Sequence, residues 1–178
     1  MSANIIAFAC QTKQRPDVIR TLKQKEADTP VTEFWARIGE FMVGDLTTGW
    51  SVFLTKDEKF SHDESMLKRM ALKSTLYVAD IIEVGPYSRV AEFTKGNLVW
   101  SITFDGPKKS GLEYKGRLPS AVQAIRNDLL DDSRVADPDD RAFSVAPGIF
   151  KKLTGYNYED PYDPAIITLS LKFLIPRS

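Results

Sequence analysis

The chain contains few of the side chains on which most enzyme mechanisms depend. It has one histidine, His62, and one cysteine, Cys10, and neither lies in a recognisable motif. Histidine and cysteine supply most general bases, nucleophiles and zinc ligands. Glycine-rich phosphate loops, the GxSxG elbow, HExxH and paired CxxC motifs do not occur in the sequence either. The sequence therefore predicts no metal and no cofactor, and it favours a binding role over an enzymatic one.

The two isolated residues each allow two interpretations. His62 could be an acid or base oriented by Asp63, or a solvated residue near a helix start. Adjacent helical residues do not face each other, which favours the second interpretation. Cys10 could be a reactive thiol, but it ends the apolar run 4–10 with no histidine or lysine beside it. We therefore predict that Cys10 is a small buried hydrophobic residue, and one cysteine cannot form an intrachain disulfide.

Two loops are rich in residues that are typical of recognition surfaces. Residues 131–141 form an acidic stretch, predicted to be a mobile surface loop, that includes Asp139 and Asp140. The spacing and glycine of a calcium-binding EF-hand are missing from it. A second loop interleaves tyrosines with acidic residues and prolines, and tyrosines in loops give large contact areas at low entropic cost. The predicted contact residues of this second loop are Tyr156, Tyr158, Asp160 and Tyr162. This pattern predicts a non-enzymatic adaptor with a protein partner.

A second hypothesis uses carboxylates of the central β-rich region. It describes a small-molecule-binding protein, or a carboxylate-based hydrolase, with a cleft beside this region. Glu92 and Asp105 lie on successive predicted strands and are expected to approach each other. The other candidate cleft residues are Glu83, Tyr87, Trp100 and Glu113. The tryptophans, including Trp50, either line such a pocket or belong to the core.

Composition places the chain among globular proteins. Of 178 residues, 43% are hydrophobic and 27% charged, and 24 basic residues balance 24 acidic residues. This is enough apolar material for one domain with a core, and the absence of a basic excess argues against nucleic-acid binding. The N-terminus lacks the features of a signal peptide, and no apolar run approaches the ~20 residues of a membrane helix. We therefore expect a cytoplasmic protein.

The predicted elements define an α+β fold. Residues 76–114 alternate as a three- to four-stranded antiparallel meander with a turn at 94–97, and residues 98–104 place Leu98, Trp100 and Ile102 on one face. Helices are predicted over 56–73, from Pro119 and from Pro147. The prediction is a single α+β domain with an antiparallel sheet of five to seven strands and two or three helices packed on one face.

The second half of the chain resembles small bacterial proteins of unknown function. The matching segments are Gly96–Gly106, with its Trp100-Ser-Ile-Thr-Phe-Asp-Gly end, Gly116–Pro119, and Val145–Tyr156, with its Leu-Thr-Gly-Tyr end. The resemblance covers about residues 76–160, and it departs at Phe104, where a histidine is expected, and at the additional Ala146. It implies a single-domain α+β protein of the kind found in bacterial accessory and toxin-immunity loci, with no activity to transfer. A third hypothesis, a phage or virion structural subunit, stays open, as does the oligomeric state.

Overall fold

A nine-stranded antiparallel sheet organises the molecule. The computed structural model describes residues 4–30, 41–108, 111–158 and 172–176. The strand order is β2-β9-β3-β4-β1-β5-β6-β7-β8, and each neighbouring pair is antiparallel. The strands are β1 (Asn4–Gln11), β2 (Gln24–Pro30), β3 (Phe41–Asp45), β4 (Trp50–Thr55), β5 (Thr75–Ile82), β6 (Tyr87–Thr94), β7 (Asn97–Asp105), β8 (Leu112–Gly116) and β9 (Lys172–Pro176).

The single α+β domain and the meander β5–β8 are confirmed, but the predicted five to seven strands were too few. The main omission is β2, whose sequence is polar and lacks alternation. It forms one edge of the sheet, where it pairs only with β9. An edge strand has fewer neighbours and needs less apolar surface, so its sequence gives little strand signal.

Helices cover both faces of the sheet, which corrects the prediction of one covered face. Three short helices, α1 (Arg15–Thr21), α2 (Glu58–His62) and α3 (Glu64–Met70), pack on one side, hereafter the α1–α3 face. Two longer helices, α4 (Ser120–Leu130) and α5 (Pro138–Thr154), pack on the other, hereafter the α4–α5 face. Strand β1 shows why both faces need a cover, because all its side chains from Ile5 to Cys10 are buried.

Helix α5 begins nine residues before the predicted start at Pro147, which lies inside the helix. Proline has no N–H, so the carbonyl of Phe143 four residues earlier loses its helical donor. The Ser88 hydroxyl on β6 donates to that carbonyl at 2.7 Å. Strand β6 thereby supplies the hydrogen-bond donor that the backbone of α5 lacks at Pro147. The acidic loop predicted at 131–141 is correspondingly shorter, because Pro138 already begins α5.

A β-bulge at Val99 sets which side chains of β7 share a face. Phe93 pairs with Leu98, whereas Glu92 pairs with Trp100, so Val99 is an additional residue in the ladder. The bulge places Trp100 on the α4–α5 face while Leu98 packs on the opposite face. The predicted common face of Leu98 and Trp100 is therefore wrong, because strict alternation does not pass through a bulge.

Gly116 permits the close approach of β8 to this bulge. Its φ is +72°, and an added Cβ would lie 2.1 Å from the carbonyl oxygen of Val99. Only glycine fits both the left-handed backbone and this distance. The pairing of Gly116 with Trp100 therefore depends on the absent side chain.

Candidate functional site: a carboxylate between aromatic rings

Glu92 on β6 is held in place on the α4–α5 face by two side-chain donors. The indole Nε1–H of Trp100 donates to Glu92 Oε2 at 2.7 Å, and the hydroxyl of Thr94 donates to Oε1 at 3.2 Å. Thr94 in turn lies 3.1 Å from the hydroxyl of Thr75 on β5. The register explains the arrangement, because Glu92 pairs with Trp100 on one side and with Tyr77 on the other.

Two aromatic residues flank this carboxylate in the strand pairing, and a third ring packs against one of them. Tyr77 and Trp100 stand two strands apart, roughly 10 Å at the backbone, yet their ring centroids are 6.5 Å apart, so the rings lean towards each other over β6. Trp50 lies 5.2 Å from Tyr77 at an interplanar angle of 46°. The small side chain of Ala9 on β1 lies between the strands of Trp50 and Tyr77 and leaves room for this contact. We call Glu92, Thr94, Trp50, Tyr77 and Trp100 the Glu92 site.

The Glu92 site is only partly buried. Trp100 is fully buried, whereas Glu92, Thr94, Tyr77 and Trp50 are half-buried. The site lies at the end of the sheet where α5 ends, near the contact between the Thr48 hydroxyl and the Thr154 carbonyl. Burial first, and then the charge of Glu92, raise the pKa of Tyr77 to about 12, so its hydroxyl stays protonated. The site therefore offers a fixed acceptor and aromatic surface to an incoming molecule.

A second carboxyl, Asp80 on β5, lies on the α1–α3 face and is 1% exposed. The Ser61 hydroxyl donates to Asp80 Oδ2 at 2.5 Å, and His62 Nε2 lies 3.9 Å from the same oxygen. Burial raises the pKa of Asp80 against the lowering effects of Ser61, His62 and Arg89. Among the described residues, no partner bonds Oδ1. Ser61 is also fully buried, so its bond to Asp80 fastens α2 to the sheet with both groups out of solvent.

His62 does not pair with Asp63 as one interpretation of the sequence required. Asp63 instead accepts a hydrogen bond from the Met66 amide at 2.9 Å and caps α3. The imidazole is 59% exposed, in agreement with the solvated interpretation, and its nearest acidic partner is Asp80. Cys10 is fully buried as predicted, and burial raises its pKa to about 12.

The expected approach of Glu92 and Asp105 does not occur. Tyr87 and Glu92 lie five positions apart on β6, and Trp100 and Asp105 lie five positions apart on β7. Because this spacing is odd, the two members of each pair lie on opposite faces of the sheet. Asp105 pairs with Tyr87 on the α1–α3 side and forms an ion pair of 2.6 Å with Lys108. A hydrolase that uses these two carboxylates together is therefore excluded, because the sheet separates them.

Tyr87, Asp105 and Glu113 do share the α1–α3 side. Burial raises the pKa of Tyr87 to about 12, and the charges of Asp80, Asp105 and Glu113 contribute in the same direction. Glu113 lies on the exposed edge strand β8, and Glu83 is exposed in the turn after β5. These residues form a solvated polar surface around Tyr87.

The predicted tyrosine surface loses its first member. Tyr156 is 1% exposed, packs edge-on against Phe150 with centroids 6.2 Å apart, and burial raises its pKa. It follows the helix end at Gly155, so the chain turns inwards there instead of forming a loop on the surface. Tyr158 is half-buried against the same core. Asp160 and Tyr162 lie outside the described residues.

Asp139 and Asp140 are exposed, as a contact surface would require, but they occupy the first turn of α5. Asp137 caps this helix by accepting a hydrogen bond from the Asp139 amide at 2.8 Å. Acidic residues in a first helical turn are stabilised by the helix dipole. A structural role accounts for these residues without a partner.

Two residues of these clusters were missed at the level of sequence. Tyr77 alternates with the buried residues Leu76 and Val78, so the strand pattern that predicted β5 also placed Tyr77 on the other face, beside Glu92. Asp80 is a single acidic residue within the apolar segment 78–82, a pattern that indicates a buried carboxyl with a partner. Its partner Ser61 lies 19 residues away, which no local pattern reveals.

No protein-family model, curated protein or solved structure matches the chain. Within the described ranges, no group of three or more histidine, cysteine or acidic residues is placed to hold a metal ion. No described helix is long and apolar enough to cross a membrane.

Proposed function

We propose that the protein binds a small molecule at the Glu92 site. The observation that supports this is a carboxylate fixed by Trp100 and Thr94, flanked by aromatic rings, and yet only half-buried. Binding sites combine apolar and aromatic surface with a few placed polar groups. When a ligand binds to a preformed acceptor of this kind, no free energy is lost in ordering the acceptor's side chain.

The alternative role for these aromatic residues is core packing, and the opposite face supplies the comparison. Phe8 and Phe53 stack there with centroids 4.7 Å apart, and both are fully buried. Trp50 and Tyr77 make a similar contact but keep part of their rings in solvent. Exposed aromatic surface beside a fixed charge has a use in binding that fully buried aromatic surface does not.

The burial of its predicted contact residues also weakens the adaptor hypothesis. Of its described tyrosines, Tyr156 lies in the core and Tyr158 is half-buried against it. The acidic residues Asp139 and Asp140 are explained by the start of α5. A protein partner, an immunity role and a structural-subunit role stay predictions from the sequence.

The test is an NMR screen of a mixed library of cationic, anionic and neutral small molecules against the whole chain. We expect at least one class to bind saturably and to shift the backbone amides of Trp50, Tyr77 and Glu92. Tyr77→Leu should abolish that binding, whereas the control Tyr114→Leu, which removes an exposed tyrosine on β8, should preserve it. An absence of binding in all classes, or shifts confined to Tyr87 and Asp105, would refute the proposed site.

A further inference from the structure

The chemistry of the Glu92 site narrows its ligand to one class. Resting on the proposed small-molecule function, we propose that the ligand is a quaternary ammonium cation, whose charge lies beside Glu92 and whose methyl groups contact the rings of Trp50 and Tyr77. Three features of the site support this ligand class, namely its charge, its aromatic rings and its existing hydrogen bonds.

The negative charge of Glu92 has no cationic partner among the described residues. Its two bonded neighbours, the Trp100 indole and the Thr94 hydroxyl, are neutral. Neutral donors stabilise a carboxylate but leave its charge uncompensated. The charge of Glu92 contributes to the raised pKa of the neighbouring Tyr77 hydroxyl, and no lysine or arginine of the described ranges offsets that effect. A half-buried negative charge of this kind attracts a cationic ligand more strongly than one in bulk water, because its surroundings screen it less.

The aromatic rings favour a cation as well. A cation within about 6 Å of a tryptophan or tyrosine ring is attracted by the negative face of the ring. Trp50 and Tyr77 are inclined at 46° with their centroids 5.2 Å apart, and Tyr77 and Trp100 are inclined at 42°. Trp50 and Tyr77 are therefore two adjoining, half-buried aromatic side chains, and Tyr77 is paired with Glu92 in the sheet.

The hydrogen bonds already present decide which kind of cation fits. A metal ion requires several ligand groups, and the site has one carboxylate. A primary ammonium loses strongly bound water and needs acceptors for three donors. Each oxygen of Glu92 already accepts one bond, so two acceptor positions of the carboxylate remain for the three donors of such a group. A quaternary ammonium donates no hydrogen bond and needs only charge and aromatic contact.

The experiment compares choline with its uncharged tert-butyl analogue, which has the same shape. Each is titrated into the whole chain at constant ionic strength, and binding is followed by the amide shifts of Trp50, Tyr77 and Glu92. We expect choline to bind saturably, and we expect the affinity for the analogue to be lower by roughly tenfold or more. E92Q should reduce the affinity for choline to the level of the analogue and leave the analogue unaffected.

E92Q is a conservative variant, because the glutamine carbonyl can still accept from the Trp100 indole. The control E83Q removes the same charge from an exposed turn and should leave the affinity for choline unchanged. If E92Q does not fold, W50L provides the second test, since Trp50 is half-buried and its loss should weaken choline binding through the ring alone.

Four results would overturn the inference. Equal affinity for choline and its analogue, or choline binding that E92Q leaves intact, would exclude a cation-specific site. If choline does not bind while another class from the library shifts the same amides, the ligand class is wrong and the proposed binding function survives. If no class shifts these amides, both are wrong.

Discussion

Glu92 and Asp80 are two acidic side chains on adjacent central strands that face opposite sides of one sheet. Asp80 is buried, receives a donor on one oxygen and has no described partner for the other. Glu92 is half-buried and accepts a donor on each oxygen. Asp80 lies beneath α2, whereas Glu92 lies at the end of the sheet where α5 terminates.

A carboxyl with a perturbed pKa is therefore not the same as a carboxyl that a ligand can reach. Burial raises the pKa of Asp80, and perturbed acids gather at functional sites. The carboxyl itself, however, is 1% exposed and bonded to the buried Ser61, so a ligand at the surface does not contact it. Glu92 combines fixed geometry with solvent access, and that combination supports a binding site.

The largest expected effect comes from the glycine that admits β8 to the Val99 bulge. Gly116→Ala places a methyl group against the Val99 carbonyl oxygen and should destabilise the protein by roughly 3 kcal/mol. Urea unfolding would measure this loss. Because Trp100 pairs with Gly116, its fluorescence should change as well, while the amides of α2 near Asp80 stay protected from exchange.

Gly85→Ala is the matched control for this change. Its φ of +71° almost equals the +72° of Gly116, yet an added Cβ there meets no atom within 4 Å. It should cost only the left-handed strain, about 1 kcal/mol. Equal losses for the two variants would show that the approach of β8 is not restricted by Val99.

An intermediate effect is expected when one donor is removed from each carboxyl. Ser61→Ala leaves Asp80 Oδ2 without its buried donor and should cost about 1–3 kcal/mol in unfolding free energy. Thr94→Val removes the 3.2 Å donor of Glu92, where water can take its place, and should cost less than about 1 kcal/mol. Chemical denaturation at neutral pH measures both variants. A loss for Thr94→Val equal to that for Ser61→Ala would contradict the contrast in solvent access.

The last expected effect is a pH dependence of the unfolding free energy that arises from Asp80. The folded protein holds this proton more tightly than the unfolded chain, where the pKa is near 3.8. As the pH rises from below 3.8 through the raised folded pKa, the wild type loses stability relative to Asp80→Asn, which does not titrate. The difference amounts to about 1.4 kcal/mol for each unit by which the pKa is raised.

The measurement is the unfolding free energy of both proteins across this acidic range. Charged and polar groups around Asp80 also contribute, and they are Glu58, Ser61, His62, Tyr87 and Arg89. Repeating the comparison in a His62→Gln background removes the imidazole that lies 3.9 Å from Asp80 Oδ2. If the unfolding free energy of the wild type, minus that of Asp80→Asn, stays constant or rises with pH, burial does not raise the pKa of Asp80.

Much of the sheet was predictable, because its signals are local. The alternation of 76–114 predicted the meander, and the apolar run ending at Cys10 predicted that Cys10 is buried. What failed depends on long-range contacts. Pro147 indicates a helix start by its own chemistry, and it lies inside α5 only because Ser88 supplies the missing donor from another element.

The candidate site was predicted in part for the same reason. Glu92 and Trp100 were both candidate cleft residues, and the structure joins them by a hydrogen bond. Asp105 was grouped with them by its residue type. Residue type does not reveal that the odd spacing between Trp100 and Asp105 along β7 puts Asp105 on the other face. Tyr156 resembled a surface residue because polar and acidic neighbours surround it in sequence, although its ring packs against Phe150 in space.

The proline within α5 has a consequence for the order in which the molecule assembles. A free peptide of residues 138–154 would lack both the amide at Pro147 and the hydroxyl of Ser88, and helices of this length are marginal in water even without a proline. We therefore expect α5 to complete its helix only after β6 has formed, so that folding proceeds from the sheet outwards. Until that docking step, the sheet surface that α5 covers is exposed, and premature association between chains would begin there.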